Sequence, residues 1–285
     1  MVSKRHLVQL IATLTTNGYI KGFFNGKIYK GVSKKFCVPG LNCYSCPGAL
    51  GSCPIGSIQA VIGSMKYNFS LYVLGFMSLV GVIFGRFICG WLCPFGFIQD
   101  LIHKVPLKKV KVPTKINNIL KYLKYVILFT FVLLLPFIFQ DDLGMSDPFF
   151  CKYICPAGTL EGGVPLILLN ETLKDGLGFL FTWKLSILII IVVSSIFIYR
   201  VFCRYLCPLG AFYSFFNKVS FYRLQLDKEF CNDCGVCLNT CKVDIKVNEN
   251  PNSGECIRCG DCVKACPSKA LKKGIVTKNK LKELA

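Results

Sequence analysis

Eight cysteines near the C-terminus have a spacing that suits iron–sulfur clusters. They form two runs, each with three cysteines separated by two residues and a fourth after three more: Cys231, Cys234, Cys237 and Cys241, then Cys256, Cys259, Cys262 and Cys266. Three thiolates at this spacing can wrap one corner of a 4Fe-4S cluster, and in two-cluster domains the fourth cysteine of each run serves the other cluster. The spacing therefore predicts one cluster on Cys231, Cys234, Cys237 and Cys266, and a second on Cys256, Cys259, Cys262 and Cys241.

The residues between these cysteines support clusters over zinc. Gly235 and Gly260 occupy matching places in the two loops, where a side chain would crowd a cluster. Zinc sites combine pairs of Cys-x2-Cys, whereas each run here is a triplet with a fourth cysteine. One departure is Lys242, which follows Cys241 where a proline is usual.

Two matched segments with a Cys-x3-Cys-Pro motif lie in the apolar first part of the chain. The copies begin at Cys89 and Cys203, inside longer segments that resemble each other. Each copy supplies only two thiolates, so the spacing predicts one shared cluster on the inner set: Cys89, Cys93, Cys203 and Cys207. The proline suits the first turn of a helix, and the positive end of a helix favours an anionic cluster. The alternative is four buried structural cysteines, which two matched copies disfavour.

Six further cysteines are predicted on the opposite side of the membrane: Cys37, Cys43, Cys46, Cys53, Cys151 and Cys155. A weaker repeat relates the segment 43–49 to the segment 151–158, which predicts an outer cluster on Cys43, Cys46, Cys151 and Cys155. Cys37 and Cys53 are then left over, either as ligands in a different partition or as a disulfide. Disulfides among all these thiols are the alternative in an oxidising compartment.

Four apolar stretches must position these motifs, and each is a candidate to cross a bilayer. The chain has 285 residues, of which 53% are hydrophobic, and its mean hydropathy is +0.51. The stretches run over about residues 7–20, 68–85, 125–140 and 185–199. A full span needs about 20 residues, so we expect the flanking Cys-Pro segments to dip into the membrane. If they did not, the inner and outer clusters would lie up to about 30 Å apart.

The composition changes after Tyr222, where long apolar runs stop. We therefore predict an α-helical membrane domain over residues 1–222, with about four transmembrane helices and a two-fold internal repeat. An α+β ferredoxin-like domain with two 4Fe-4S clusters is predicted to follow over residues 223–275, with a basic tail over 276–285.

The distribution of charge predicts the orientation. The segment 86–124 carries eight lysines and arginines with one acid, whereas the segment 141–175 carries six acids. By the positive-inside rule, the first segment and the ferredoxin domain lie in the cytoplasm, and the protein is a multi-pass protein of the cytoplasmic membrane. The five lysines in the segment 21–35 oppose this orientation.

Other functional classes find little support. The net charge of +19 sits in loops beside apolar spans, which favours contact with membrane lipid over nucleic acid. Only two histidines are present, so ligation of haem by paired histidines has no basis. Nucleotide-binding loops and hydrolase-type nucleophile motifs are not found.

The motif combination resembles the NapH/NosR/MauN family of membrane polyferredoxins. The resemblance rests on Cys-Gly-Trp-Leu-Cys-Pro-Phe-Gly at 89–96, on Cys-Arg-Tyr-Leu-Cys-Pro-Leu-Gly at 203–210, and on the two terminal runs. It implies four spans with both termini inside, and electron passage between a quinol or membrane partner and other redox proteins. The chain departs from NosR in lacking a flavin-binding domain, and the segment 37–53 is richer in cysteine than expected of NapH.

The leading hypothesis is a membrane-bound iron–sulfur protein that passes electrons between a quinone or membrane redox partner and cytoplasmic or extracytoplasmic redox proteins. It could serve as a subunit of a quinol dehydrogenase. The predicted cofactors are two 4Fe-4S clusters, a third on the inner set, a fourth on the outer cysteines, and quinone. Two alternatives stay open: an accessory or maturation factor for a partner redox enzyme, and a redox-sensing regulator of such an enzyme.

Overall fold

The computed structural model describes residues 4–64, 70–142, 144–174, 176 and 178–275. Four long helices dominate its first part: Lys4–Thr16, Tyr72–Phe84, Thr114–Ile138 and Phe179–Phe197. Two of them, Thr114–Ile138 and Phe179–Phe197, are long and apolar enough to cross a bilayer. Residues 68–69, where the second predicted span begins, and the predicted tail 276–285 lie outside the described residues.

Two of the long helices begin earlier than the predicted spans, because additional helical turns precede their apolar stretches. The Thr114–Ile138 helix begins eleven residues before the predicted start at 125, because its polar first half packs against other parts of the protein. Its turns widen over Leu128–Leu134, just before Pro136, whose ring nitrogen cannot donate a backbone hydrogen bond. The Phe179–Phe197 helix begins six residues before the predicted start at 185.

Short helices separate the long ones. They span Ile20–Asn25, Pro54–Gly63, Phe87–Trp91, Pro94–Ile102, Phe149–Tyr153, Gly158–Leu169, Glu171–Lys174, Val201–Tyr205 and Pro208–Phe216, with a 3₁₀ turn at Val32–Lys35. Many of them carry the cysteines of the motifs or start directly after one, so the connections between the long helices hold the cysteines predicted to bind clusters.

The C-terminal part is a small α+β unit. Strands Tyr222–Leu226 and Leu271–Ile275 pair antiparallel, with Tyr222 opposite Ile275, and two helical turns lie between them at Val236–Thr240 and Asp261–Ala265. Its core contains Leu224, Val247, Ile257 and Leu271 together with Tyr199, which follows the last long helix. The apolar cluster therefore continues from this unit into the helical part.

All four long helices have one end, or one half, near the C-terminal unit. Arg5 of the first helix donates to Tyr199, and the carbonyl of Phe84 accepts a hydrogen bond from Arg258. Lys124 of the third helix binds Glu255, and Tyr199, two residues after the end of the fourth, lies in the core of the C-terminal unit. The helices thus run side by side from the C-terminal unit to a far end.

At the far end lie the six predicted outer cysteines and the short helices around them. The amide of Leu50 bonds to the carbonyl of Thr16, and the indole of Trp183 donates to the carbonyl of Tyr153. The outer cysteines therefore belong to the end of the bundle opposite the C-terminal unit.

A buried charge cluster locks the C-terminal unit onto the helices. The carboxylate of Glu255 receives Arg86 at 3.0 Å and Lys124 at 2.5 Å, and the side chains of both cations are at most 1% exposed. Burial alone would raise the pKa of Glu255, but the two cations outweigh it and hold the pKa below its ordinary value. Arg258 reinforces the contact by donating to the carbonyl of Asn217 and the hydroxyl of Ser220.

We expect the substitution Glu255→Ala to weaken this docking strongly. Removing one partner of a buried ion pair leaves the remaining charges unpaired, which costs about 3–5 kcal/mol. In detergent, the variant should unfold at a clearly lower temperature, and a protease should release the C-terminal unit faster. The matched control is Glu249→Ala, which removes an exposed pair with Lys246 and should change neither readout. Equal behaviour of the two variants would contradict the role of Glu255.

Candidate functional site

Two small cavities in the C-terminal unit each collect four cysteines. One, of about 20 Å³, is lined by the distal set: Cys231, Cys234, Cys237 and Cys266. The other, of the same size, is lined by the proximal set: Cys241, Cys256, Cys259 and Cys262. Each set joins three cysteines of one run to the fourth of the other, which is the partition that the spacing predicts.

The loops around these cavities have the geometry of a cluster cradle. Gly235 and Gly260 adopt φ values of +71° and +83°, which a glycine reaches without strain. Burial raises the pKa of Cys256 to about 11, so a thiolate here needs a nearby cation such as iron. Lys242, which stands in place of the usual proline, lies 3.4 Å from Asp261 across the two runs.

The inner set is gathered at the centre of the molecule. Cys89, Cys93, Cys203 and Cys207 are all buried, and Cys93 and Cys207 cap the helices Pro94–Ile102 and Pro208–Phe216. The amide of Gly210 points at the sulfur of Cys207 at 3.4 Å. The structure therefore brings together the four cysteines of the two repeated motifs at two helix N-termini.

Two buried arginines hold the backbone of the inner set. Arg86 donates to the carbonyl of Cys203 at 3.0 Å, and Arg200 donates to the carbonyl of Cys89 at 2.6 Å. Arg200 also forms a bidentate pair with Asp100. Burial alone would raise the pKa of Asp100, but Arg200 and Arg5 hold it well below its usual range, so this carboxylate stays charged.

A much larger cavity, of about 600 Å³, lies at the far end and is lined by the cavity set: Cys43, Cys53, Cys151 and Cys155. Three of these four belong to the predicted outer cluster, but the structure puts Cys53 in the place that the sequence prediction gave to Cys46. The thiol of Cys46 is instead directed at the side-chain oxygen of Asn17, at 3.5 Å. Cys37 also stays off the cavity wall, with its thiol 3.6 Å from the hydroxyl of Ser57.

The sequence also carries a signal that distinguishes Cys53 from Cys46. Cys53 begins the tetrapeptide Cys-Pro-Ile-Gly, and Cys93, Cys155 and Cys207 begin Cys-Pro-Phe-Gly, Cys-Pro-Ala-Gly and Cys-Pro-Leu-Gly. Cys46 is followed by Pro-Gly-Ala and breaks this pattern. The glycine matters because its amide faces the preceding sulfur, as Gly158 faces Cys155 at 3.4 Å.

The walls of the cavity leave room next to the sulfurs. A Cβ added to Gly158 would lie 3.8 Å from the sulfurs of Cys43 and Cys155, and one added to Gly162 would lie 3.3 Å from Cys43. A Cβ added to Gly56 would lie 3.9 Å from Cys151. These glycines thus keep side chains away from a group held by the four thiolates, as a bulky cluster requires.

The spacing of the thiols disfavours zinc and disulfides. All 18 cysteines fall within the described ranges, and each has a free thiol. In the part of the chain that the structure describes, no three His, Cys, Asp or Glu side chains are close enough to hold a single metal ion. A zinc site would draw its sulfurs to about 2.3 Å from one centre. Four cysteines around one cavity, as in the distal, proximal and cavity sets, suit a 4Fe-4S cluster.

The four sets follow one another through the molecule. The proximal and inner sets meet where Gly90 passes Ile257: a Cβ on Gly90 would lie 2.2 Å from the carbonyl oxygen of Ile257. These residues directly follow Cys89 and Cys256, so the two sets adjoin through a backbone contact that only glycine permits. The distal and proximal sets already share their two runs.

The segment 37–43 joins the inner set to the cavity set. The carbonyl of Leu41 lies 3.9 Å from the sulfur of Cys93, and Leu41 also lines the large cavity. Tyr213, which is fully buried, donates to the carbonyl of Pro39 at 2.9 Å and fixes this segment. Cys43 is only two residues beyond Leu41, so the inner and cavity sets are far closer than about 30 Å.

Comparisons with known proteins agree with this chemistry. A family model described as a 4Fe-4S binding domain matches residues 67–113, 125–164 and 180–225, and a second with the same description matches residues 250–272. An uncharacterized protein of Methanocaldococcus jannaschii is 32% identical over 225 residues, which cover 77% of this chain and 84% of that protein.

Two named relatives are more distant. The regulatory protein NosR of Stutzerimonas stutzeri is 30% identical over 68% of this chain but only 25% of its own length. The ferredoxin-type protein NapH of Haemophilus influenzae is 25% identical over 67% of this chain and 63% of its own length. No solved structure gives a significant match.

The structure places Cys53 in the cavity set where the sequence predicts Cys46, and substitution of each cysteine tests which of the two is a ligand. We expect Cys53→Ser to lose about four irons per chain, because the cavity would keep only three thiolates. Cys46→Ser should keep the full iron content, since its thiol faces Asn17 and not the cavity. Iron and acid-labile sulfide, measured after anaerobic purification, distinguish the two variants. The reverse pattern would restore the partition predicted from the sequence.

Proposed function

Because the chain belongs to the NapH/NosR-type family of 4Fe-4S ferredoxin-like membrane proteins, we propose that it is an electron-transfer protein whose four cysteine sets hold four 4Fe-4S clusters in a row. The clusters would be held by the distal, proximal, inner and cavity sets defined above. Each cluster, when bound, supplies reversible one-electron chemistry. The chain itself supplies the spacing, the burial and the charges around the sulfurs.

The observation that carries this proposal is the grouping of the cysteines: three cavities are each lined by four, and the four of the inner set lie in one buried cluster. A chance distribution of buried cysteines would not divide into complete sets. Neighbouring sets also meet through named contacts, at Gly90 with Ile257 and at Leu41 with Cys93. Such adjacency is what stepwise electron transfer requires.

The two ends of the row suit different partners. Cys234 of the distal set is exposed, and the exposed Phe230 lies close by in sequence, so a soluble redox protein can approach this end. The cavity set lies at the opposite end of the helices, beside apolar surface. We infer that the helices form a multi-pass membrane domain, with about four spans in two related halves, and that the distal end is cytoplasmic.

The large cavity supports a quinone as the membrane partner. Its volume of about 600 Å³ is far above the 20 Å³ of the distal and proximal cavities and lies in the range of small-molecule sites. Asn42 lines it, is fully buried, and both polar atoms of its side chain have no hydrogen-bond partner in the described part of the chain. A carboxamide can donate to a quinone carbonyl and accept from a quinol hydroxyl, so Asn42 can bind both forms.

A continuous row favours an electron conduit over the two alternative roles. A redox sensor needs only one responsive cluster, and a maturation factor needs only one site that faces its client. Neither role explains why complete cysteine sets extend from an exposed distal loop to a cavity at the far end of the helices. An electron conduit would use all four sets, including the inner set, which lies between the two ends of the row.

Iron counting tests the number of clusters. Protein purified without oxygen should contain about 16 irons and about 16 acid-labile sulfides per chain, because four sets each bind four irons. About 12 irons would leave the cavity set unused, and about eight would restrict the clusters to the C-terminal unit. Either lower value, if it persists after reconstitution with iron and sulfide, contradicts the four-cluster proposal.

The quinone site has its own test, the substitution Asn42→Leu. This variant keeps the side-chain size but removes both polar groups, and the loss of about 1.4 kcal/mol should slow oxidation of the reduced protein by a short-chain quinone about tenfold. The matched control is Asn118→Leu, at an exposed position of the third long helix. Iron content must stay unchanged in both variants. Oxidation at the wild-type rate in Asn42→Leu would argue against a quinone in this cavity.

A further inference from the structure

Two buried glutamines make the same contacts in two different places. Gln59 and Gln99 each follow the cysteine of a Cys-Pro-x-Gly tetrapeptide by six residues, and each side chain belongs to a residue that is 1% exposed. The side-chain nitrogen of Gln99 lies 3.0 Å from the sulfur of Cys203, and that of Gln59 lies 3.3 Å from the sulfur of Cys151. One glutamine therefore serves the inner set and the other serves the cavity set.

The orientation of both amides is fixed by a second contact. The side-chain oxygen of Gln99 accepts from the backbone N–H of Phe202 at 3.1 Å, and that of Gln59 accepts from the N–H of Phe150 at 2.9 Å. A backbone N–H can only donate, so the oxygen must face it and the NH₂ group must face the sulfur. The second amide hydrogen is used by a carbonyl one turn earlier, at Ile55 and Phe95.

The two contacts also match in the sequence around them and in the elements that form them. In each case the phenylalanine precedes the first cysteine of a Cys-x3-Cys-Pro motif. In each case the glutamine comes from a different segment of the chain, on the helix Pro54–Gly63 or Pro94–Ile102. The same device at two separate cysteine sets indicates a function at the sulfur, since the two sites share no residue.

We propose that Gln59 and Gln99 are matched hydrogen-bond donors that raise the reduction potentials of the clusters on the cavity set and the inner set. The proposal rests on the proposed function, because it requires clusters on both sets. An N–H directed at a ligating sulfur stabilises negative charge there, and reduction adds negative charge. Hydrogen bonds to the sulfurs are one of the main determinants of iron–sulfur potentials.

A purely structural role would give a different result. The glutamine oxygen also ties its helix to the backbone of Phe150 or Phe202, and loss of this tie alone would lower stability without moving a potential. The substitutions Gln→Met and Gln→Glu separate these effects. Methionine has a similar length and removes both the tie and the donor. A glutamate carboxylate keeps an acceptor for the phenylalanine N–H and removes the NH₂ group that donates to the sulfur and to the carbonyl one turn earlier.

The experiment is a redox titration of the purified full-length protein, followed by electron paramagnetic resonance. Signals are assigned with Cys93→Ser and Cys207→Ser, which should each remove the same inner-set signal, and with Cys53→Ser for the cavity set. We expect Gln99→Met to shift the oxidised-to-reduced ratio of the inner-set signal about tenfold toward the oxidised form, which for one electron is about 59 mV. Gln59→Met should shift only the cavity-set signal.

Titrated at a pH at which the introduced carboxylate is ionised, the glutamate variants should shift the same signals in the same direction, since they add a negative charge beside the sulfur. The control is Gln225→Met, on the strand Tyr222–Leu226 of the C-terminal unit. Its potentials should match those of the wild type. If iron content is complete and the potentials of the Gln59 and Gln99 variants do not move, this proposal fails while the proposed function stands. If iron is missing from both sets in the wild type, the proposed function itself fails.

Discussion

The burial of negative sulfur in apolar surroundings is the constraint on which the rest of this structure depends. An uncompensated buried charge is very costly, so a thiolate cluster inside a helical bundle needs donors and cations around it. The inner set is flanked by two ion-pair networks in which four cations meet only two carboxylates: Arg86 and Lys124 with Glu255, and Arg5 and Arg200 with Asp100. At least one positive charge is left over next to a site that an anionic cluster would occupy. Structural pairing alone would not require this excess of cations, because one carboxylate for each cation would leave no buried charge uncompensated.

The same networks determine where the C-terminal unit sits. Glu255 directly precedes Cys256 of the proximal set, and its partner Arg86 also holds the carbonyl of Cys203 in the inner set. The ion pair that neutralises the inner site is therefore also the contact that docks the ferredoxin-like unit. A unit on a flexible tether would meet the inner set only occasionally. Here the close approach of Gly90 to Ile257 makes the spacing between the two sets a fixed property of the fold.

The sequence-based partition and the structure agree where local spacing carries the information; that these sets bind clusters stays a prediction. The spacing of the two runs in the C-terminal unit predicts both of its cysteine sets, because three cysteines of each set are close in sequence. It also predicts that Cys241 and Cys266, the fourth cysteines, each join the set of the other run. The inner set followed from two matched motifs. The sequence and the structure differ over the cavity set, where Cys43 and Cys53 are separated by a longer loop and Cys46 lies between them; its ligands also stay a prediction. What no spacing could predict is the approach of Leu41 to Cys93, which depends on how distant parts of the chain pack.

The residue six positions after the cysteine of each Cys-Pro-x-Gly tetrapeptide differs among the four copies, and so does its contact with the cysteine sets. In the four copies this position holds Gln59, Gln99, Glu161 and Tyr213. The two glutamines point at sulfurs, Glu161 accepts from the amide of Cys43 at 2.7 Å, and Tyr213 holds the segment that joins two cysteine sets. The motif fixes the start of a helix at the ligand, so the residue almost two turns later always returns to the neighbourhood of a cysteine set. Repetition of the backbone, with a different side chain at this one position, lets related helices donate to, accept from or brace the redox centres.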